Sequence, residues 1–419
     1  MNSKQIKVLL LGLATAAASC ATAETLDRPT GFRIGQRMTI RPYVAVSATY
    51  DSNVVGGNRG GCGKTDDVMW TINPGFALDY KAENWALLLT AYYNYRAYCQ
   101  KRYWDNYNQH SFGETLRWNW SNSKPNERGW SLMVSETYSQ VTRADDVSLS
   151  DGRGYSSDYR QFTIQGVAQR RFNERWHGEL ALSYYYLDYL DNNSRTDWYG
   201  GLYGWQRWTA NLSAGYAASR WTDILVNVGY QGYKQDNNTN TRYANESQGY
   251  TAQVGLGSYA TERISYRALL GWSRFEYGNT SSSSSDGFVY TLSGNWNISD
   301  TWSTMFLASS YYQPSEREIG AQSRVDSLSW GIGKSLVRGK LRTTLDLTYR
   351  RETHEYSAEY HYGSDYQLDV FTVRFGVDYT LNRFLAAFAY AEYIKSWNDN
   401  SSYYDYDRWR VTGGLRLTY

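Results

Sequence analysis

The chain has only four histidines, His110, His177, His354 and His361, which leaves little material for acid–base catalysis. His177 and Glu179 sit two residues apart, so in a strand they share a face and a carboxylate could orient the imidazole. A general base also needs a nucleophile within reach, and none is recognisable beside them. His354 and His361 fall in one Tyr-rich stretch, but two imidazoles are too few for a transition-metal site. Asp145-Asp146 and the stretch from Asp191 to Asp197 carry oxygens of the kind Ca²⁺ takes, and read equally as solvated loop polarity. The expectation is a protein that is not an enzyme and has no metal and no cofactor.

A different chemistry lies in the spacing of the cations. Arg408, Arg410 and Arg416 alternate with Trp409, Val411, Leu415 and Leu417, and Arg37 and Arg41 share the phase of Thr39, Tyr43, Ser47 and Thr49. Spacing of two puts these guanidiniums on one strand face. With Arg374 and Lys395 they would form a basic stripe that concentrates anions by field focusing. The competing reading pairs the same cations with acids such as Asp346 and Asp378, or with lipid phosphates at a rim. Cys62 and Cys99 are the cysteines that remain if Cys20 is removed with a leader, and an even count in an oxidising compartment suits a disulfide between them.

The elements that must position these residues are strands. The chain has 419 residues, is 42% hydrophobic with a mean hydropathy of −0.64, and contains 41 Tyr, 17 Trp and 12 Phe. A disordered chain is poor in aromatics, and a helical membrane protein needs apolar runs of about 18 residues, absent beyond the N-terminus. Instead Val68, Trp70, Ile72, Phe76, Leu78 and Tyr80 alternate with polar neighbours, as do Phe288, Tyr290, Leu292, Trp296 and Ile298. Period two gives strands with one apolar and one polar face. We count 18 such runs, starting near residues 37, 68, 85, 111, 129, 159, 176, 205, 221, 248, 264, 287, 301, 325, 341, 366, 384 and 406.

Short and long connections alternate. Most short ones deliver a bulky residue at the next strand: Trp85, Trp130, Trp176, Trp221, Ile264, Trp302, Leu341 and Phe384. This pattern belongs to an all-β fold, a transmembrane antiparallel up-and-down β-barrel of about 18 strands, with short periplasmic turns, longer outer loops and aromatic girdles. A soluble propeller of similar period would lack the alternation. Residues 1–23 read as a cleaved signal peptide: Lys4 and Lys7, an apolar stretch from Val8 to Ala18, and Ala21-Thr22-Ala23 as the cleavage site. A cut before Cys20 would instead make a lipoprotein. Residues 24–36 are expected to be a short periplasmic segment, and residues 37–419 a single barrel in the bacterial outer membrane.

Two segments carry resemblances. Gly414-x-x-Leu417-x-Tyr419 resembles the C-terminal signal read by the bacterial barrel-assembly machinery, with Gly413 where that pattern has a bulkier residue. The opening strand, Val44 to Val54 with Tyr50-Asp51-Ser52-Asn53, resembles the start of the β-barrel porin-2 families. That resemblance implies an outer-membrane protein accompanying capsule or exopolysaccharide production. The expected function is a porin-like channel for passive passage of hydrophilic solutes, with a link to exopolysaccharide export. The alternative is an adhesin or structural barrel without an open pore. No outer loop exceeds about 17 residues by these boundaries, which is short for a plug; a constriction could come from inward side chains or one folded loop. Expected partners are outer-membrane lipid and lipopolysaccharide, the assembly machinery and a hydrophilic solute or glycan, with no nucleic acid. Glu114 and Glu136 break the apolar phase of adjacent strands, which implies either a bulge or contact with another copy in a homo-oligomer. Pro42 and Pro74 remove ladder donors and predict local irregularity.

Overall fold

The computed structural model describes residues 31–53, 66–99, 108–122, 128–145, 156–190, 204–235, 246–258, 263–277, 284–314, 321–356, 366–399 and 405–419. They form β1 (Phe32–Ile34), β2 (Met38–Asp51), β3 (Asp67–Lys81), β4 (Trp85–Tyr98), β5 (Asn108–Ser121), β6 (Gly129–Asp145), β7 (Ser156–Arg171), β8 (Trp176–Tyr189), β9 (Trp205–Ala217) and β10 (Asp223–Gln235). The chain continues through β11 (Glu246–Ser258), β12 (Ile264–Tyr277), β13 (Ser284–Ser299), β14 (Trp302–Pro314), β15 (Ala321–Leu336), β16 (Leu341–Tyr356), β17 (Tyr366–Thr380), β18 (Leu385–Asn398) and β19 (Tyr406–Thr418). Strands β2 to β19 each pair antiparallel with the next, and β19 returns to pair with β2. The result is the closed 18-stranded barrel expected from the alternation. Closure follows from the solvent: an open edge in lipid would leave amides and carbonyls unpaired where water cannot reach them.

The register fixes which face meets lipid. Val44 and Val46 on β2, Trp70 and Ile72 on β3, Leu212 on β9, Val254 on β11 and Leu415 and Leu417 on β19 are exposed large apolar side chains on the outer surface. They are bounded by two aromatic girdles. Trp85, Trp130, Trp176, Trp296 and Trp302 lie toward the short turns, and Tyr93, Tyr230, Tyr250, Trp272 and Trp409 toward the loops. Rings with an apolar body and a polar tip suit both interfaces. Wrapped by an apolar belt between these girdles, the protein is an outer-membrane barrel.

Residues 32–34, expected to precede the barrel, form a strand of their own. β1 pairs with Met38–Ile40 of β2, below the point where β19 ends opposite Tyr43. It covers an edge that the C-terminus leaves bare, which is how sheets avoid open edges. Its three residues are too few to show alternation. The terminal Tyr419 is held here: its ring stacks on Phe32 at 4.5 Å and on Phe384 at 5.6 Å, and its amide donates to the Pro42 carbonyl. Gly414 faces inward, where Phe388 occupies the space a Cβ would take, and Leu417 faces lipid. The proline irregularities are present: the β3–β4 ladder skips residues 73 and 74, and Pro42 lies where β1 hands over to β19.

Glu114 and Glu136 do face outward, with no bulge between them. Glu114 pairs with Tyr138 and Ala91, and Glu136 with Leu116 and Ile164. The register shift on β6 occurs only at Val141/Ala144, nearer the loops. Glu136 lies near mid-strand, level with Leu116 and Ile164, and Glu114 is one outward pair nearer the loops; on the lipid face a carboxylate costs less than a cation. Glu136→Leu is therefore expected to raise stability by only about 1 kcal/mol in urea unfolding from lipid vesicles. Crosslinking in membranes should give the same particle mass for this variant and the original. A crosslinked oligomer abolished by leucine would instead assign the patch to a contact with another subunit.

Candidate functional site

The inward faces of the strands form the lumen, and their chemistry is set by side chains alternating with the lipid-facing row. Thr49, Thr71, Thr115, Thr137, Ser183, Thr209, Asn211, Asn227, Thr251 and Gln253 belong to this phase. Many bridge neighbouring strands: Thr49 to Thr412 at 2.8 Å, Ser183 to Thr209 at 2.6 Å, Ser213 to Asn227 at 2.8 Å and Asn227 to Gln253 at 3.3 Å. The lumen wall is thus a hydrogen-bonded polar lining laid over the backbone ladder.

The basic stripe at the closing seam is brought together but not left bare. Arg408 is 2% exposed, and its Nε donates to both oxygens of the fully buried Asp51 at 2.8 and 3.0 Å. Its Nη2 also contacts Asp51. Arg410 donates to Asp51 at 3.1 Å and to Glu392 at 3.4 Å. Arg416 lies 3.7 Å from Asp378, and Arg41 contacts Asp79. Arg374 stacks over Tyr390 at 4.8 Å, in register with Asp346 and Glu392. Carboxylates interleave this wall because desolvated guanidiniums persist where they are paired.

Two members of the stripe belong elsewhere. Arg37 lies exposed in the turn between β1 and β2, beside Gly35 with its positive φ of 66°. Lys395 falls on the outward phase: it is in register with Phe371 and shares the face of Tyr393, whose ring packs on Trp409 at 4.5 Å. The phase of β18 is weakly written, since Ala387, Ala389 and Ala391 on one face confront Phe388, Tyr390 and Ile394 on the other. Lys395 stands over Trp397 at 5.9 Å at the loop end of the outer surface.

A further group of inward cations has no carboxylate partner among the described residues and lies on the wall from β4 to β12. Arg96 on β4 meets Gln109 at 3.5 Å. Arg117 on β5 meets the Met133 sulfur at 3.2 Å, and its Nε has no partner. Arg207 on β9 stands 5.8 Å from the rings of Tyr185 and Trp205. Arg267 on β12 reaches Ser213 at 3.4 Å, with its Nε unpartnered. Inward acids are sparse among the described residues of this wall: Glu179 on β8, held by Gln169 at 2.6 Å, and Asp223 on β10, 3.9 Å from His177. Strand phase turns all four inward, but they are scattered over four strands, whereas Arg408, Arg410 and Arg416 follow one another on a single one.

The lumen is unevenly filled. Toward the loops, inward side chains are buried: Asp51, Leu187, Trp205, Phe275, Val289, Leu368 and Arg408. Toward the short turns, Arg41, Asn119, Gln169, Glu179 and Ser303 are half-buried. Asp51 also explains the Tyr50-Asp51-Ser52-Asn53 motif. Its Oδ1 accepts the Asn53 amide at 3.1 Å, an Asx turn, while Ser52 exchanges hydrogen bonds with the Trp409 backbone. Cys99 is exposed at the loop end of β4; Cys62, His361 and Asp191 to Asp197 lie outside the described residues. Among the described residues no cluster of metal-ligating side chains forms.

No family model and no curated protein matches the chain. Solved structures similar to it include the FrpB iron transporter from Neisseria meningitidis (F5-1 variant, apoprotein form), at TM-score 0.45 and 10% identity, covering 87% of this chain and 62% of that one. The siderophore receptor PirA from Pseudomonas aeruginosa gives TM-score 0.42 and 7% identity over 93% of this chain and 81% of that one. The copper transporter OprC gives 0.46 and 9% over 94% and 81%. The chain spans 62% of the length of the first of these, and likeness at this level assigns no cargo.

Proposed function

We propose that the protein is a channel for passive passage of small hydrophilic solutes across the outer membrane, with a lumen that favours anions. The observation carrying this reading is the wall from β4 to β12, where Arg96, Arg117, Arg207 and Arg267 face a polar lumen without carboxylate partners among the described residues. Uncompensated guanidiniums in a low-dielectric-walled passage raise the local anion concentration. The resemblance of the opening strand to the β-barrel porin-2 families supports placing the channel beside exopolysaccharide export, as a conduit for the glycan or for ions that accompany it.

Planar-bilayer recording of the pure protein tests this. Discrete conductance steps are expected, with a reversal potential in a KCl gradient displaced toward that of chloride. Replacing all four arginines by glutamine should move it back toward that of an unselective pore. A silent bilayer would sink the channel reading and favour the second one, an adhesin or structural barrel without an open pore. That reading draws on the burial of Asp51, Phe275, Val289 and Arg408 at the loop end.

A further inference from the structure

One hairpin leaves the wall. The β13–β14 ladder stops at Tyr290 and Ser310, yet β13 stays paired with β12 up to Ser284, and β14 with β15 up to Pro314. Above Ser310, β14 therefore departs from β13 while carrying β15 with it. It touches β12 and β11, two and three strands away. In a closed sheet such a contact requires the hairpin to cross one face of the wall.

The contacts identify the inner face. Tyr312 is 6% exposed and packs with Phe275 of β12 and Val289 of β13, themselves 0% and 1% exposed. Both belong to the phase opposite Trp272 and Phe288, which face lipid. The Tyr312 hydroxyl stands where a Cβ on Gly287 would be, 2.5 Å from that position. The Tyr312 carbonyl accepts a hydrogen bond from Gln231 Nε2 at 2.8 Å, and Gln231 belongs to β10, four strands round the barrel. Gly249 provides room in the same way: a Cβ there would meet Gln231 and Phe275. Missing side chains at Gly249 and Gly287 thus open a seat that an aromatic ring and a carbonyl fill.

We propose that the upper β14–β15 hairpin is the built-in constriction of the channel, seated by Tyr312 on Phe275, Val289 and Gly287 and tethered by Gln231. This rests on the channel reading. In the wall, the hairpin would widen the mouth; across β10 to β13, it narrows the lumen on the side that carries Arg207 and Arg267. Solutes then pass between the hairpin and the ion-paired seam wall, so the hairpin sets size selection and the arginines set charge selection.

The test uses the full chain with Cys62 and Cys99 replaced by serine and Val289→Cys as a reporter under the hairpin. A small thiol reagent should label this cysteine slowly. Labelling should quicken about tenfold or more when Tyr312→Ala and Gln231→Ala unseat the hairpin. A second variant, with residues 311–325 replaced by Asn-Gly to join Ser310 to Asp326, covers the case in which the double variant misfolds. Equal labelling with and without the seat overturns the proposal, whether or not the protein conducts. In bilayers the unseated channel should pass about twice the current or more per step. Conductance that is present and unchanged also overturns the constriction but leaves the channel reading standing. Current in the unseated form alone would make the hairpin a complete block. Faster labelling with no current in any form would uphold the seat and sink the channel.

Discussion

Asp51→Ala is expected to cost the barrel about 3–5 kcal/mol, the penalty for leaving a buried charge without its partner. Asp51 is fully buried and Arg408 is 2% exposed, and the carboxylate receives both Arg408 and Arg410. Arg410 would retain Glu392 at 3.4 Å, but among the described residues no other carboxylate reaches Arg408. The position magnifies the loss. The β19–β2 ladder runs only from Thr418/Tyr43 to Arg410/Asp51, shorter than the β2–β3 ladder from Met38 to Asp51, and it must close the barrel. Urea unfolding from lipid vesicles, followed by Trp fluorescence, would read the shift, and the loss of heat-resistant mobility on gels would accompany it. Asp51→Leu combined with Arg408→Met should recover most of the stability, because paired charges and packed apolar groups are near-equivalent inside a fold. A single variant within about 1 kcal/mol of the original would mean that the pair behaves as an exposed one.

The sequence made the barrel legible because lipid outside and water inside force period two on every spanning strand. Trp85, Trp130, Trp176 and Trp302 marked strand starts directly, and the predicted starts fall within four residues of those observed. What depended on neighbours was hidden. Pairing of Arg416 with Asp378 spans β17 to β19, and the stagger of one strand on the next is not written in either. Lys395 went to the wrong face because small and bulky residues occupy both faces of β18. The departure of the β14–β15 hairpin leaves alternation intact, since both strands remain paired to each other; only Gly287 beneath Tyr312 and Gly249 beneath Gln231 and Phe275 hint at it. Strand phase turns Arg96, Arg117, Arg207 and Arg267 inward, but they lie on four separate strands, so which partners reach them is written only in the assembled wall.

Trp205 and Trp208, three residues apart on β9, should respond very differently to truncation. Trp205 points inward, 7% exposed, stacked on Tyr185 at 4.6 Å and packed on Tyr233 at 5.4 Å beside the buried Leu187. The space is lined by Tyr185, Leu187 and Tyr233, which water from the lumen solvates poorly, so Trp205→Ala is expected to cost about 3–5 kcal/mol, transfer and cavity together. Trp208 points outward, 36% exposed, its indole lying over Gly232 on β10. There lipid flows into the gap, and Trp208→Ala forfeits mainly the cover it gives that glycine, about 1 kcal/mol. A barrel whose stability came from its ladder and lipid contacts alone would show the two losses equal, or the outer one larger. The loop end of this lumen instead carries a packed core, which the same unfolding assay measures as the difference between the two tryptophans. That core also predicts a side effect: Arg207 stands 5.8 Å from the Trp205 ring, so Trp205→Ala should free the guanidinium toward the lumen and strengthen anion preference while weakening the fold. Reversal potentials that are unchanged in Trp205→Ala would detach Arg207 from the selective wall.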